Sequence, residues 1–175
     1  MEKKKKKIII GTFVTLILIG AACAGTVYYY LFAPQFHPQK TVYIYIDRDD
    51  TADSIYNKVK QQGHPRSFTG FRWMAQYKKY SENIHTGRYA IRPRENVYHV
   101  FSRLYRGYQE PMNLTVGSVR TLDRLARSIS KQLMIDSAEI AGLMNDSAFQ
   151  QKLGYTKETL PCLFIPETYQ VYWDM

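Results

Sequence analysis

The feature that most constrains this chain is an uncharged run near its start. From Ile8 to Phe32, 25 residues carry no charged side chain, and Lys3 to Lys7 precede them without a break. About 20 such residues suffice for a helix to cross a bilayer core. In lipid every backbone amide must bond within the segment, so the run is predicted to be helical. Lysines stay on the cytoplasmic side, which sends the C-terminal remainder across. Tyr28, Tyr29 and Tyr30 fall at the far end, where amphipathic rings settle among headgroups. Ala22-Cys23-Ala24 has the small-residue look of a signal-peptide cleavage site, but the apolar run continues well past it. The reading is a cytoplasmic basic tail at 1–7 and a single-pass signal anchor at 8–32. The N-terminus lies in the cytoplasm, and the C-terminal domain lies outside the cytoplasmic membrane.

The formal charge is +9, of which residues 2–7 contribute +4 and everything beyond the apolar run +5. A basic domain suits nucleic acid, anionic lipid or an acidic polymer, or is simply kept soluble by its charge. Nucleic acid is not expected outside the cytoplasm, whereas anionic wall polymer is abundant there. Cys23 lies in the apolar run and Cys162 near the other end of the chain, so no internal disulfide is expected. The outer domain must then rely on its own core.

Pro34 and Pro38 make 33–39 a short stiff linker. Val42, Ile44 and Ile46 alternate with Tyr43 and Tyr45 at the period of a strand. After the polar turn Asp47 to Asp50, Ile55, Tyr56 and Val59 take helical spacing, and Gly63 is expected to stop that helix. His64-Pro65 separates it from a second helix with Phe68, Phe71, Met74 and Tyr77 on one face. Gly87 to Ile91 returns as a strand. The result is strand, helix, helix, strand, and the next stretch starts a related pattern with a helix capped by Asn96 and ended by Gly107. In 111–175, Met112, Leu114 and Val116 alternate as a strand before a helix bearing Leu122, Leu125, Ile129 and Leu133.

The two halves echo each other. Thr51-x-Asp53-x-Ile55-x-x-x-Val59 matches Thr121-x-Asp123-x-Leu125-x-x-x-Ile129 at an offset of 70 residues, each after an alternating strand. A threonine N-cap followed by an acid in the first turn suits both helix starts. Two unrelated capped amphipathic helices would share much of this pattern; the matching strands favour a repeated βα unit.

His37, His64, His85 and His99 have no metal-binding spacing. Neither a phosphate loop nor a nucleophile elbow is present, so no metal and no cofactor is implied. The tyrosines suit either a sugar-stacking surface or ordinary strand faces. Asn113-Leu114-Thr115 and Asn145-Asp146-Ser147 match the glycosylation sequon by chance. One segment differs. Leu160 to Tyr169 is apolar around a single carboxylate, Glu167, and its two prolines predict extended chain. Desolvation would raise the pKa of such a carboxyl, as a general acid needs; the alternative is an exposed Glu at a turn after proline.

Gly87-x-Tyr89-x-Ile91, Leu104-x-x-Gly107, the strand Leu114 to Val116 leading into Thr121, and Pro166-x-Thr168-Tyr169 occur in that order behind a signal anchor. In this the chain resembles the YceG-like (MltG) family of bacterial endolytic murein transglycosylases. The resemblance implies an α+β protein: a transmembrane helix, a LysM-like βααβ unit at 40–110, and at 111–175 the start of a YceG-like catalytic domain. It also implies a lyase that cuts the bond between N-acetylmuramic acid and N-acetylglucosamine in nascent glycan strands. The 6-hydroxyl of the muramic acid attacks its own anomeric carbon, leaving a 1,6-anhydro end, so one carboxyl serves as acid and then base. The implied partners are peptidoglycan glycan strands and cell-wall synthases.

The family pattern Leu-Glu-Gly-x-x-x-Pro-x-Thr-Tyr meets Leu160-Pro161-Cys162 here, and Pro161 has no proton to give. Glu167 is then the candidate catalytic acid/base, with Thr168 and Tyr169 as candidate substrate-binding residues and Glu158 as the poorer alternative acid. A chain that has lost the chemistry would remain a non-catalytic peptidoglycan-binding anchor or scaffold; a third reading is a basic juxtamembrane domain that binds anionic lipid. The family's catalytic domain continues past this motif, so the chain is expected to be incomplete and inactive by itself.

Overall fold

The computed structural model describes residues 2–118 and 121–175. Helix α1 runs Glu2–Leu31. Its Ile10–Leu31 portion, 22 residues of mean hydropathy 2.0, is long and apolar enough to cross a membrane. At 1.5 Å per residue that portion is about 33 Å long, close to the hydrocarbon thickness of a bilayer.

Strands and helices then mix. Strand β1 (Val42–Ile46) leads to α2 (Ala52–Gly63), α3 (Thr69–Tyr77) and β2 (Gly87–Ile91), the expected order of strand, helix, helix, strand. Next come α4 (Val97–Tyr105), β3 (Met112–Val116) and α5 (Leu122–Ser130). Helices α6 (Ser137–Asn145) and α7 (Ser147–Leu153), a 3-10 turn at Leu160–Leu163 and β4 (Glu167–Val171) follow, and a further 3-10 turn at Tyr80–Glu82 lies between α3 and β2. Strands β1 and β2 form one two-stranded sheet, and β3 and β4 another.

The chain divides into two compact units, one of 1–44, 51–84 and 90–106, the other of 45–50, 85–89 and 107–175. The first is organised around aromatic rings. Phe71, Tyr80 and Phe101 are fully buried, with Phe101 edge-on to Phe71 at 5.4 Å and to Tyr80 at 5.6 Å. Such pairs contribute about 0.5–1.5 kcal/mol each beyond the area they bury.

The expected linker at 33–39 is fastened into this unit. Phe36 is fully buried, the Gln35 and Phe36 amides both donate to the Glu95 carbonyl, and the Arg94 amide donates to the Phe36 carbonyl at 2.9 Å. The proline spacing predicts stiffness; the reason the segment is ordered is a buried ring four residues past Phe32. The face expected on α3 also shifts. Phe71 and Ala75 are buried, but Tyr77 is 84% exposed. Gly70 is where α3 meets α1, since any Cβ there would collide with the Tyr30 backbone carbonyl.

The second unit buries Leu114, Val116, Leu122, Leu125, Ala126, Ile140, Met144 and Leu160 together. The strand and helix that echo each other in sequence are both formed at the 70-residue offset, β1 with β3 and the start of α2 with the start of α5. Thr51 and Thr121 each cap their helix, accepting from the Ser54 amide at 3.3 Å and the Arg124 amide at 3.4 Å.

Candidate functional site

Strands β3 and β4 pair antiparallel, with Leu114 opposite Tyr169, Thr115 opposite Thr168 and Val116 opposite Glu167. Directly opposed residues share a sheet face, and successive residues alternate. Glu167 and Tyr169 thus lie on the side of the buried Leu114 and Val116, while Thr168 lies on the other side with Thr115, whose hydroxyl is 3.4 Å away. The three residues singled out in sequence are adjacent in the chain but do not converge on one face. The outer edge of β3 is closed by a side chain: the Thr115 amide donates to Gln132 Oε1 at 3.1 Å, and Gln132 Nε2 donates back to the Thr115 carbonyl at 3.0 Å. An amide side chain here substitutes for a neighbouring strand.

Glu167 opens β4 and is exposed. Its Oε1 accepts only the next amide, that of Thr168, at 3.2 Å among the described bonds. The apolar neighbours do not take this carboxylate out of water: Ile165 is itself 64% exposed, and Phe164 packs inward on the core instead. Of the two settings open to this carboxyl in sequence, the exposed one after a proline is the one found, at the start of a short two-stranded sheet. Tyr169 is tied back, its hydroxyl donating to the Ile165 carbonyl at 3.0 Å.

The extended chain expected from Leu160 also differs. Leu160–Leu163 is a 3-10 turn with Pro161 in its first turn, a place where a missing N–H costs nothing. Leu160 anchors the turn as a fully buried residue, which leaves Pro161 at the surface of a cleft.

That cleft, about 690 Å³, is lined by Thr121, Leu122, Asp123, Asn145, Lys157, Glu158 and Pro161. Glu167 is not in its lining. Two carboxylates, Asp123 from the first turn of α5 and Glu158 from the approach to the 3-10 turn, flank Pro161, with Lys157 and Asn145 as donors. The Thr156 hydroxyl and its own backbone N–H donate to the exposed Glu158 carboxylate, and with nearby Lys157 they hold it below the usual carboxylate range. Glu158 in this arrangement is an anion at neutral pH. It is suited to accept a proton or face a developing positive charge, and less suited to deliver a proton. Asp123 was visible in sequence only as a helix-dipole partner; what places it in the cleft is the folding of 157–161 against the start of α5, a long-range contact with no local signature.

The family marks also acquire reasons. Gly87 has φ +132°, and a Cβ there would strike the Gln109 side chain. Tyr89 is buried, and its hydroxyl donates to the Thr86 carbonyl at 2.9 Å and the His85 carbonyl at 3.2 Å. Burial first, and then the charge of Asp174, push its pKa well above the ordinary phenol value. Tyr89 is therefore a structural hydroxyl. Gly107, at φ +68°, follows α4 in the left-handed region against His85.

No curated protein sequence matches the chain. A solved structure of a YceG-like protein from Listeria monocytogenes is similar at 20% identity and a TM-score of 0.46, over 75% of this chain and 48% of that one. The chain thus spans about half the length of that protein. The sequence profile of the YceG-like family matches residues 44–175, a span that begins within β1 and takes in every later element and the Pro161 cleft, and so this chain belongs to the YceG-like family.

Proposed function

We propose that this protein is a membrane-anchored endolytic peptidoglycan transglycosylase. It cleaves the MurNAc–GlcNAc bond of nascent glycan strands and leaves 1,6-anhydroMurNAc ends. Helix α1 anchors it in the cytoplasmic membrane with the basic tail inside and the remaining chain outside, where glycan and the cell-wall synthases are met. Residues 40–110 act as a LysM-like unit that holds the strand. In the reaction the muramyl O6 bonds to C1 as the C1–O bond to GlcNAc breaks. The O6 proton leaves to a carboxylate, and a proton passes to the departing GlcNAc oxygen, so no water is consumed. One carboxyl can perform both transfers.

The observation that supports this reading best is the family match over 44–175 together with a cleft at the Leu160-Pro161 turn flanked by Glu158 and Asp123. Glu167 remains the acid proposed from the motif, and Glu158 is its competitor from geometry. A second reading is a non-catalytic peptidoglycan-binding anchor or scaffold; it is favoured by Pro161 at the family's Glu position and by the exposure of Glu167.

The test is mass spectrometry of peptidoglycan incubated with the full-length protein in bilayers, as wild type, Glu167→Gln and Glu158→Gln. Anhydro ends from wild type, lost by at least about 100-fold in one variant that retains the fold, identify the acid/base, since acid–base catalysis contributes roughly 10²–10⁴. Glycan binding without anhydro ends from any of the three assigns the scaffold reading.

A further inference from the structure

The membrane helix does not end in a free tether. The Tyr30 ring meets the Trp73 ring of α3 edge-on at 5.3 Å. On the other side of the helix end, Phe32 stacks on Tyr28 at 6.2 Å and on Tyr98 of α4 at 5.5 Å. Gln35 Nε2 donates to the Tyr29 carbonyl at 2.7 Å, and Gly70 lets α3 approach the Tyr30 carbonyl directly. These contacts join α1 to the first unit through backbone-level packing. The face of that unit next to the membrane exit is therefore set by the fold.

That face carries large exposed rings: Trp73 is 46% exposed, Tyr28 64%, Phe32 45% and Tyr77 84%. Beside Trp73, between α2 and α3, lies a cleft of about 340 Å³ lined by Lys60, Phe68, Thr69, Arg72, Trp73 and Gln76. Lys60 Nζ sits 5.0 Å from the centre of the Phe68 ring. The lining holds two cations, three neutral hydrogen-bonding side chains and no carboxylate. Amphipathic rings partition to the headgroup layer, and cations near an anionic leaflet are drawn to its phosphates.

We propose that this cleft takes the phosphate headgroup of an anionic phospholipid from the same bilayer that α1 crosses, with Trp73 seated in the headgroup layer. This rests on the anchor reading of α1, but not on the transglycosylase reading. Lys60 and Arg72 face the phosphate, Thr69 and Gln76 supply hydrogen bonds to it or its glycerol, and Trp73 lies between cleft and membrane helix. The bound lipid would hold the first unit flush with the membrane surface.

The experiment uses the full chain with Trp173→Phe, which leaves Trp73 as the sole tryptophan. It is reconstituted in nanodiscs of phosphatidylcholine, with or without phosphatidylglycerol. Resistance to carbonate extraction from vesicles first establishes that α1 is inserted; extraction would sink the anchor reading itself. With α1 inserted, a spin label on the lipid headgroup is expected to quench Trp73. Energy transfer from Trp73 to headgroup-labelled phosphatidylglycerol should exceed that to labelled phosphatidylcholine, and Lys60→Gln with Arg72→Gln should erase the preference, by roughly fivefold per cation removed. Absence of quenching means this face looks into solvent and overturns the proposal. Quenching that is indifferent to lipid charge, or a preference untouched by the double substitution, leaves an aromatic rim without a headgroup site and overturns it as well.

Discussion

Glycine and its neighbours show what single residues decide in this fold. Gly63 was expected to stop α2, yet it is the last residue of the helix, and His64 takes the left-handed cap at φ 44°. Gly63 is present for space: a Cβ would lie 2.8 Å from the Phe36 ring. Ala in place of Gly inside a helix ordinarily stabilises by about 0.5–1 kcal/mol. Here Gly63→Ala should instead destabilise by about 1–3 kcal/mol through overpacking, read as a lower urea midpoint at unchanged slope. Glu95 is a second case. It pairs with Arg103 at 2.5 Å, both side chains largely buried. Burial pushes its pKa up, but the Arg103 hydrogen bonds, the Arg92 amide and both guanidinium charges outweigh it and hold the carboxyl below its usual 4.5. A depressed folded pKa means that the pair's stabilisation is fully present above about pH 4.5 and is lost as pH falls through the lower folded value. Glu95→Gln should therefore cost about 1–3 kcal/mol at neutral pH, and should flatten the acid limb of a stability-versus-pH curve below about 4.5.

At the scale of elements, helix starts were readable because capping is local. Thr51, Asn96 and Thr121 each accept the amide three residues on, as their sequence context predicts. Replacing Thr51 or Thr121 by Ala should each cost about 1 kcal/mol, and the two losses should add, since distant sites are independent. Equilibrium unfolding of the single and double variants measures this. The edge of β3 was not readable, because nothing in the spacing of Gln132 announces that its amide will close a strand 17 residues earlier. Gln132→Ala should speed hydrogen exchange of the Thr115 amide by more than tenfold, since a lost bond of about 1.4 kcal/mol or more is a factor of ten in local opening. A Thr115 amide still protected in that variant would mean that β3 is held by β4 alone.

At the scale of the whole molecule, the proposal that α1 is an anchor with its basic tail inside makes a topological prediction. Cys23 lies within α1 and Cys162 lies on the surface of the second unit. With the basic tail inside, a membrane-impermeant maleimide applied to intact spheroplasts should label Cys162 and spare Cys23. Cys162→Ala and Cys23→Ala variants assign the signal, and labelling of Cys162 only after lysis would reverse the topology.

Patterns local in the chain were determined by sequence alone. The 25-residue uncharged run, the alternation at Val42–Ile46 and Met112–Val116, the caps and the 70-residue echo all depend on neighbours within one helical turn or one pleat. Tertiary structure decided the rest. Tyr77 stands in solvent at the end of α3; Phe36 turns a proline-spaced segment into core; and Glu167, apolar in its sequence neighbourhood, stands in water at a sheet end. Asp123 and Glu158, 35 residues apart, line one cleft with Pro161. The reason is common to all four: burial and convergence are set by which distant surfaces pack, and chain-local spacing carries no record of that choice.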